Sequence, residues 1–282
     1  MKTRLCKRIA TPLCAAILPL MATSADAALM DVTVTIENLA ATNGVSFAPL
    51  RLGFHNGSFD AFDNGSAASD AIVSVAEGGG GEAWFTAFES EEPDAVLGSV
   101  VNGGPAVPAG NAGVGNPFSS TATNTFRVDT AVNSFFTFAN MVVPSNDLFL
   151  GNDNPIRLFD GLGNLLIDEI FQTGASIWDA NSEVADPANA AFLPGGVNDN
   201  RIEEGGVVAF DFSELNVFDG LTTAAGYAFD FSTLSSDDAI YRISFETEAV
   251  AAPTPSSFAL LGLAAFGLIA RKKAYPRGLT AA

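Results

Sequence analysis

The stretch FFTFANMVVPSNDLFLG, residues 135–151, decides the fold. Its first nine residues are mostly apolar and aromatic, as expected of a strand, and the turn residues at 144–147 separate them from a second apolar run. Eight further stretches show the alternation of half-buried strands, some of them loosely: 30–37, 50–54, 83–88, 125–128, 165–170, 207–212, 227–231 and 240–245. The pattern predicts an all-β fold, an antiparallel β-sandwich.

One short helix and two long connections interrupt this pattern. Residues 69–76 are predicted to be helical, with Ser69 as N-cap, Asp70 in the first turn and Gly78 onward ending the helix. The turn-rich connections at 98–116 and 181–200 are long for a compact domain, and such loops are usually functional or mobile.

The charge is strongly acidic and unevenly distributed over the 282 residues. Segment 28–252 contains five basic residues, all Arg, against 31 acidic residues, which gives a formal charge of −26. Five scattered Arg cannot form the basic surface that nucleic acid requires, so a nucleic-acid partner is excluded. The balance points to solvated surfaces and hard cations.

The composition also restricts catalysis. Both cysteines, Cys6 and Cys14, lie in the first 27 residues, and His55 is the only histidine. Asp60 and Asp63 lie near His55 in sequence, which admits a catalytic interpretation, but a structural histidine that bonds its own turn is the expected alternative. Since no nucleophile motif accompanies His55, we expect no enzymatic activity.

The two ends have the features of export and sorting signals. Residues 1–27 combine a basic head, an apolar stretch and a small-x-small exit, which predicts a signal peptide. Residues 251–282 begin with Pro253-Thr254-Pro255, continue with a short apolar segment and reach a basic cluster at 271–273. At roughly 1.5 Å per residue, that apolar segment is a marginal membrane span.

The C-terminal segment resembles the PEP-CTERM sorting signal of Gram-negative bacteria, although Thr254 stands where that family has Glu. The resemblance implies transient contact with the inner membrane, recognition by a sorting protease of the exosortase type, and a secreted or cell-surface location.

Oxygen-bearing side chains are concentrated between residues 144 and 183. Asp147 follows the first predicted strand, and Asp179 and Glu183 follow a later one. Clustered carboxylates repel one another unless water or a cation compensates them, and Ca²⁺ takes about six to eight oxygen ligands. The spacing alone leaves two interpretations open, a calcium site or solvated loop acids. Asp153, nearby, fits a turn residue better than a ligand.

The middle segment resembles the spondin N-terminal domain from about Met30 to Glu248. The resemblance rests on residues 34–39, 52–57, 62–65, 141–151 and 178–183, of which PSNDLFLG at 144–151 is the most specific piece. It implies a C2-like β-sandwich with a calcium ion, and Asp147, Asp179 and Glu183 match the acids of the family motifs. Asn181 replaces a Gly of the motif, and Asn tolerates the positive φ that such a turn requires.

These observations favour a secreted, surface-associated, calcium-binding protein of adhesion or extracellular-matrix type, whose partner is matrix or polysaccharide. Two alternatives remain: a carboxylate-dependent hydrolase, and a polysaccharide-binding module in which Trp84 or Trp178 is an exposed stacking platform. Both tryptophans lie in strand-like or strand-end settings, where burial is the more common outcome.

Overall fold

The computed structural model describes residues 29–113, 115–197 and 201–250. The predicted signal peptide at 1–27 and the predicted sorting segment at 251–282 lie outside these residues. The all-β sandwich is confirmed: two antiparallel sheets contain four and eight strands. In chain order the strands are β1 (Leu29–Asn38), β2 (Ser46–Phe47), β3 (Leu50–His55), β4 (Val96–Val100), β5 (Thr121–Asp129), β6 (Phe135–Val143), β7 (Leu148–Gly151), β8 (Ile156–Arg157), β9 (Glu169–Thr173), β10 (Trp178–Asp179), β11 (Ala209–Phe210) and β12 (Ala239–Ala249).

The four-stranded sheet has the order β5-β1-β12-β9. The alternation of β1 gives it one buried face, because Val32, Val34 and Ile36 point into the core. Its other face carries hydroxyl pairs between neighbouring strands, such as Thr33 with Thr125 at 2.9 Å.

The eight-stranded sheet has the order β11-β10-β7-β6-β3-β4, and β2 and β8 pair with β6. Strand β6 is buried over almost its whole length because both of its faces are covered. Phe136 and Phe138 belong to the core between the sheets, whereas Ala139 belongs to a second cluster formed with the helices. Residues 135–151, which form β6 and β7, therefore lie at the centre of the larger sheet.

Two α-helices, α1 (Asp70–Ala76) and α2 (Glu82–Glu91), are present among the described residues. The prediction of α1 is confirmed, with the Ser69 hydroxyl accepting from the backbone N–H of Ile72 at 3.3 Å. The prediction of a strand at 83–88 is wrong, because this segment belongs to α2. Trp84 and Phe88 are four residues apart and both fully buried, which matches the helical period.

Three other predicted strands differ in extent. Strand β11 covers only two residues of 207–212. Strand β9 begins at Glu169, near the end of the predicted 165–170, and 227–231 forms no strand. The chain there instead forms short 3₁₀ turns, at Ser213–Phe218 and Phe231–Thr233, whose aromatic side chains pack against the core. None of the helices in the described part of the chain has the length and apolar character needed to cross a membrane.

Candidate metal centre

Three carboxylates from separate parts of the chain meet at one end of the sandwich. Asp147, Asp179 and Glu214 each offer one oxygen, and these oxygens lie within 4.8 Å of one another. Asp147 and Asp179 are buried, and Glu214 is partly buried. A group of this kind can hold a metal ion.

The sheet register brings the two aspartates together. Asp147 directly precedes β7, and Asp179 on β10 pairs with Leu148, the next residue of the chain. Ser145 fixes the turn before Asp147, since its hydroxyl donates to the carbonyl of Val142 and accepts from the backbone N–H of Leu148. Two acidic residues distant in sequence thus occupy adjacent strand positions.

Glu214 comes from the 3₁₀ turn Ser213–Phe218, which packs over the end of the sandwich. Leu215 and Phe218 of this turn are completely buried in the main core. Their burial, worth about 1.5–3 kcal/mol for each side chain, places Glu214 beside the aspartates.

The hydrogen bonds leave part of the cluster without partners. Asp147 Oδ2 accepts from the backbone N–H groups of Ser182 at 2.7 Å and Glu183 at 2.9 Å, and from the Ser182 hydroxyl at 3.1 Å. Asp147 Oδ1 and Glu214 Oε2 are buried and have no hydrogen-bond partner among the described residues. Unpaired buried acceptors are costly, so these two oxygens require a proton, a water molecule or a cation.

The pKa shifts of the three carboxylates also indicate that the cluster needs protons or a cation. Burial raises the pKa of Asp147. Burial, together with the charge of Asp147, raises the pKa of Asp179 to about 7. Burial and the charges of both aspartates raise the pKa of Glu214 to about 8. Ionising all three carboxylates together is therefore unfavourable unless positive charge is present.

Glu183, predicted as a ligand with Asp147 and Asp179, lies outside this group of three. Its side chain is fully buried, and its Oε1 accepts from Asn146 Nδ2 at 3.0 Å. Its backbone N–H donates to Asp147 Oδ2 at 2.9 Å, and its own Oε2 has no hydrogen-bond partner among the described residues. The structure thus brings together two of the predicted acids and adds Glu214.

The alternative of solvated loop acids is wrong for Asp147, Asp179 and Glu183, because all three are buried. Asp153 does lie in a surface turn, where its Oδ1 accepts from the backbone N–H of Asn64 at 3.2 Å. The positive φ expected of Asn181 is confirmed at 49°. Asn181 closes the turn by donating its backbone N–H to Asp179 Oδ1 at 2.6 Å.

A second polar network surrounds Ser182. Its hydroxyl lies 2.9 Å from Glu77 Oε1 and 3.1 Å from Asp147 Oδ2, so one hydrogen is shared between two carboxylates. Glu77 Oε2 forms an ion pair with Arg201, which also contacts Glu203 at 3.4 Å. The cluster is therefore connected through Ser182 and Glu77 to the segment that follows residue 200.

His55 occupies a different buried site, at the far end of the larger sheet. Its Nδ1 lies 3.0 Å from Glu92 Oε1, and its Nε2 lies 2.9 Å from the hydroxyl of Thr137. Glu92 also accepts backbone N–H groups from Asn56, at 2.9 Å, and from Ser58, at 2.7 Å. His55 is fully buried, and its side-chain partners are Glu92 and Thr137 rather than Asp60 or Asp63.

Both tryptophans are buried, which confirms their expected place in the core. Trp84 contacts Phe88, and Trp178 packs beneath Phe210 with ring centroids 3.5 Å apart. Phe210 itself is 54% exposed. The exposed aromatic ring near the carboxylate cluster is therefore that of Phe210, a residue that the sequence did not single out.

No known family model matches the chain, and no curated protein is similar to it.

Proposed function

We propose that Asp147, Asp179 and Glu214 bind Ca²⁺, and that the protein is a secreted, surface-associated, non-enzymatic adhesion or matrix protein whose fold the ion stabilises. The proposal of a metal site rests on one observation. In a group of three close carboxylates, the buried oxygens Asp147 Oδ1 and Glu214 Oε2 have no hydrogen-bond partner among the described residues.

The donor set favours calcium over softer metals. All three candidate ligands are carboxylate oxygens, whereas zinc and copper sites in proteins usually include histidine or cysteine. Magnesium demands a nearly regular octahedron, while calcium accepts six to eight oxygens in irregular arrangements. Backbone carbonyls and water would complete the calcium shell.

The ion would act on stability rather than on a reaction. It would join β7, β10 and the 3₁₀ turn at 213–218, three segments that the acids alone push apart. Stabilisation by a ligand of the folded state rises as RT ln(1 + [Ca²⁺]/Kd), which is about 2.7 kcal/mol at a hundredfold excess over Kd. Calcium outside the cell would thus favour the folded state.

The cellular role rests on sequence features. The signal at 1–27 and the PEP-CTERM-like segment at 251–282 support export, contact with the inner membrane and processing by an exosortase-type protease. The resemblance to the spondin N-terminal domain supports adhesion or matrix association. The acidic segment 28–252 is compatible with an exterior surface, and it disfavours nucleic acid as a partner.

Thermal unfolding of the full chain, with calcium and with chelator, tests the proposal. We expect the melting temperature to rise with calcium in the wild type but not in the Asp179→Asn, Glu214→Gln double variant. Asp153→Asn, which changes a surface turn acid, serves as the control and should retain the response. A wild-type melting temperature indifferent to calcium would overturn the proposal.

A further inference from the structure

We propose that the surface beside the metal centre binds a neutral polysaccharide chain, with one sugar residue in a small cleft and a neighbouring residue stacked on Phe210. This inference rests on the proposed function, because an adhesion protein needs a ligand surface and because calcium would stabilise one wall of the cleft.

The cleft has a volume of about 180 Å³ and lies over the end of β10. The residues that line it include Ala67, Ala68 and Ala180 together with Arg201 and Glu203. It is smaller than the roughly 300–1,000 Å³ of pockets for drug-sized ligands, so it suits a single compact group. A lining that combines alanine methyl groups with polar groups matches the apolar face and hydroxyl edge of a sugar ring.

Close backbone packing fixes one wall of the cleft. The backbone N–H of Gly206 donates to the carbonyl of Asn181 at 2.7 Å. A Cβ on Gly206 would lie 2.5 Å from the Cβ of Asn181, so only glycine permits this approach. The Asn181 side chain in turn donates to the carbonyl of Val207 at 2.9 Å, which holds both sides of the wall together.

Phe210 supplies the stacking platform. Its ring lies on Trp178 at 3.5 Å with an interplanar angle of 25°, and about half of its surface remains exposed. Trp178 is anchored from below by its indole N–H, which donates to the carbonyl of Gly151 at 3.2 Å. An aromatic ring held rigidly from one side loses little entropy when a ligand stacks on the other.

The cleft and the platform lie on the same face of the sheet. Trp178 and Ala180 are two residues apart, and both belong to the cluster on the helix-bearing side of the larger sheet. Same-face positions along a strand are roughly 7 Å apart. A chain of a few sugar residues can therefore occupy the cleft and cover Phe210 at once.

The charge of the protein selects a neutral chain over an anionic one. Segment 28–252 carries a formal charge of −26, and the rim of the cleft includes Glu203, which is highly exposed. Arg201 is the cationic group in the cleft wall, and it is already paired with Glu77 and Glu203. Among the described lining residues an acidic polysaccharide would therefore meet repulsion, with the one arginine already paired.

The metal centre is linked to the cleft through Ser182. Asp147 Oδ2 and Glu77 Oε1 share the Ser182 hydroxyl, and Glu77 holds Arg201 in the cleft wall. An ion on Asp147 Oδ1 would fix the orientation of that carboxylate and, through it, Ser182 and the wall. We therefore expect calcium to strengthen binding of the polysaccharide.

Native electrophoresis of the full chain tests the inference, in gels that contain neutral dextran, galactomannan or hydroxyethyl cellulose, or anionic alginate. We expect retardation by at least one neutral polymer and none by alginate. Phe210→Ala should weaken the retarding interaction at least tenfold, whereas Phe210→Tyr, which keeps the ring, should stay within threefold of wild type. Phe171→Ala is the matched control, since Phe171 is a similarly exposed aromatic on an edge strand of the other sheet.

Equal effects of Phe210→Ala and Phe171→Ala, or no retardation in any neutral gel, would overturn the inference. Melting curves with calcium and chelator separate its failure from that of the proposed function. If calcium raises the melting temperature but no neutral gel retards the protein, the polysaccharide site is rejected and the metal site is retained. Retardation without a calcium effect on melting would reject the metal site and its link to the cleft.

Discussion

Asp147 and Asp179 lie next to each other at the ends of β7 and β10, because Asp179 pairs with Leu148, the residue that directly follows Asp147. The backbone hydrogen bonds of the sheet thus hold two buried carboxylates together, although 31 residues separate them in the chain. Since like charges at this distance repel, the native register is retained against an electrostatic cost that a cation removes.

The identity of the third ligand can be tested by isothermal titration calorimetry with calcium. We expect Glu214→Gln to weaken calcium affinity at least tenfold, because Glu214 belongs to the three-oxygen group. Glu183→Gln should change the affinity less than threefold, since the Glu183 carboxylate binds Asn146 outside that group. If Glu183→Gln instead weakens calcium binding more than Glu214→Gln does, the ligands are Asp147, Asp179 and Glu183, as predicted from the sequence.

The stability of the calcium-free protein should fall as the pH rises from about 4 to 8. Burial raises the pKa of Asp179 to about 7 and that of Glu214 to about 8, so the folded state binds more protons than the unfolded state over this range. Each extra bound proton contributes a slope of about 1.4 kcal/mol per pH unit. Urea unfolding with chelator at several pH values measures this slope.

Two substitutions test whether the carboxylate cluster causes this pH dependence of stability. Asp179→Asn should flatten the slope because it removes a proton-binding carboxylate. Saturating calcium should flatten it because the ion displaces the protons that the folded state holds on the cluster. Asp153→Asn, in a surface turn, should leave the slope as it is. Stability that instead rises over this pH range would contradict the assignment.

Gly53 on β3 is required by the packing of α2 on the sheet. A Cβ at this position would lie 2.5 Å from the Phe88 ring and 2.7 Å from Leu97. We expect Gly53→Ala to lower the free energy of unfolding by about 1–3 kcal/mol, as overpacking does elsewhere. Gly161→Ala is the control, because nothing lies within 4 Å of its added Cβ, and urea unfolding should find it nearly neutral.

Glu92 should be a strong determinant of stability. Although burial alone would raise the pKa of Glu92, hydrogen bonds from His55, Asn56, Ser58 and Phe59 hold it at about 2. A lowered carboxyl pKa stabilises the fold above the usual value of 4.5, and this contribution is lost as the pH falls from there towards 2.

We therefore expect Glu92→Ala to lower the free energy of unfolding by about 3 kcal/mol or more at pH 7, because it leaves several buried donors without their charged acceptor, and each such donor costs about 1–3 kcal/mol. The exposed neighbour Glu91 provides the control, and Glu91→Ala should stay within about 0.5 kcal/mol of wild type. Chemical denaturation at pH 7 and pH 3 should show a smaller difference at the lower pH. A Glu92→Ala variant as stable as Glu91→Ala would exclude the buried pair as a stabilising element.

The alternation of apolar residues determined the fold class, because a strand with one buried face must repeat every two residues. β1 follows this rule, and so the sandwich could be predicted from residues such as Val32, Val34 and Ile36. Local chemistry likewise determined the Ser69 cap and the positive φ of Asn181, since each depends only on near neighbours in the chain.

Tertiary packing decided what local pattern could not. Residues 83–88 have the aromatic content of a strand, yet they form a helix because Trp84 and Phe88 bury the same face against the sheet. Glu92 was not recognisable as the partner of His55, because 36 residues that include both helices separate them in the chain.

The carboxylate cluster shows both contributions. Asp147 and Asp179 stand at strand ends that the sequence marks with turn residues and apolar runs. Glu214 carries no such mark, and it reaches the aspartates only because Leu215 and Phe218 are buried beside it. The sequence determines which side chains are apolar enough to be buried. Whether acidic residues that are distant in the chain come into contact depends on the packing of the whole core.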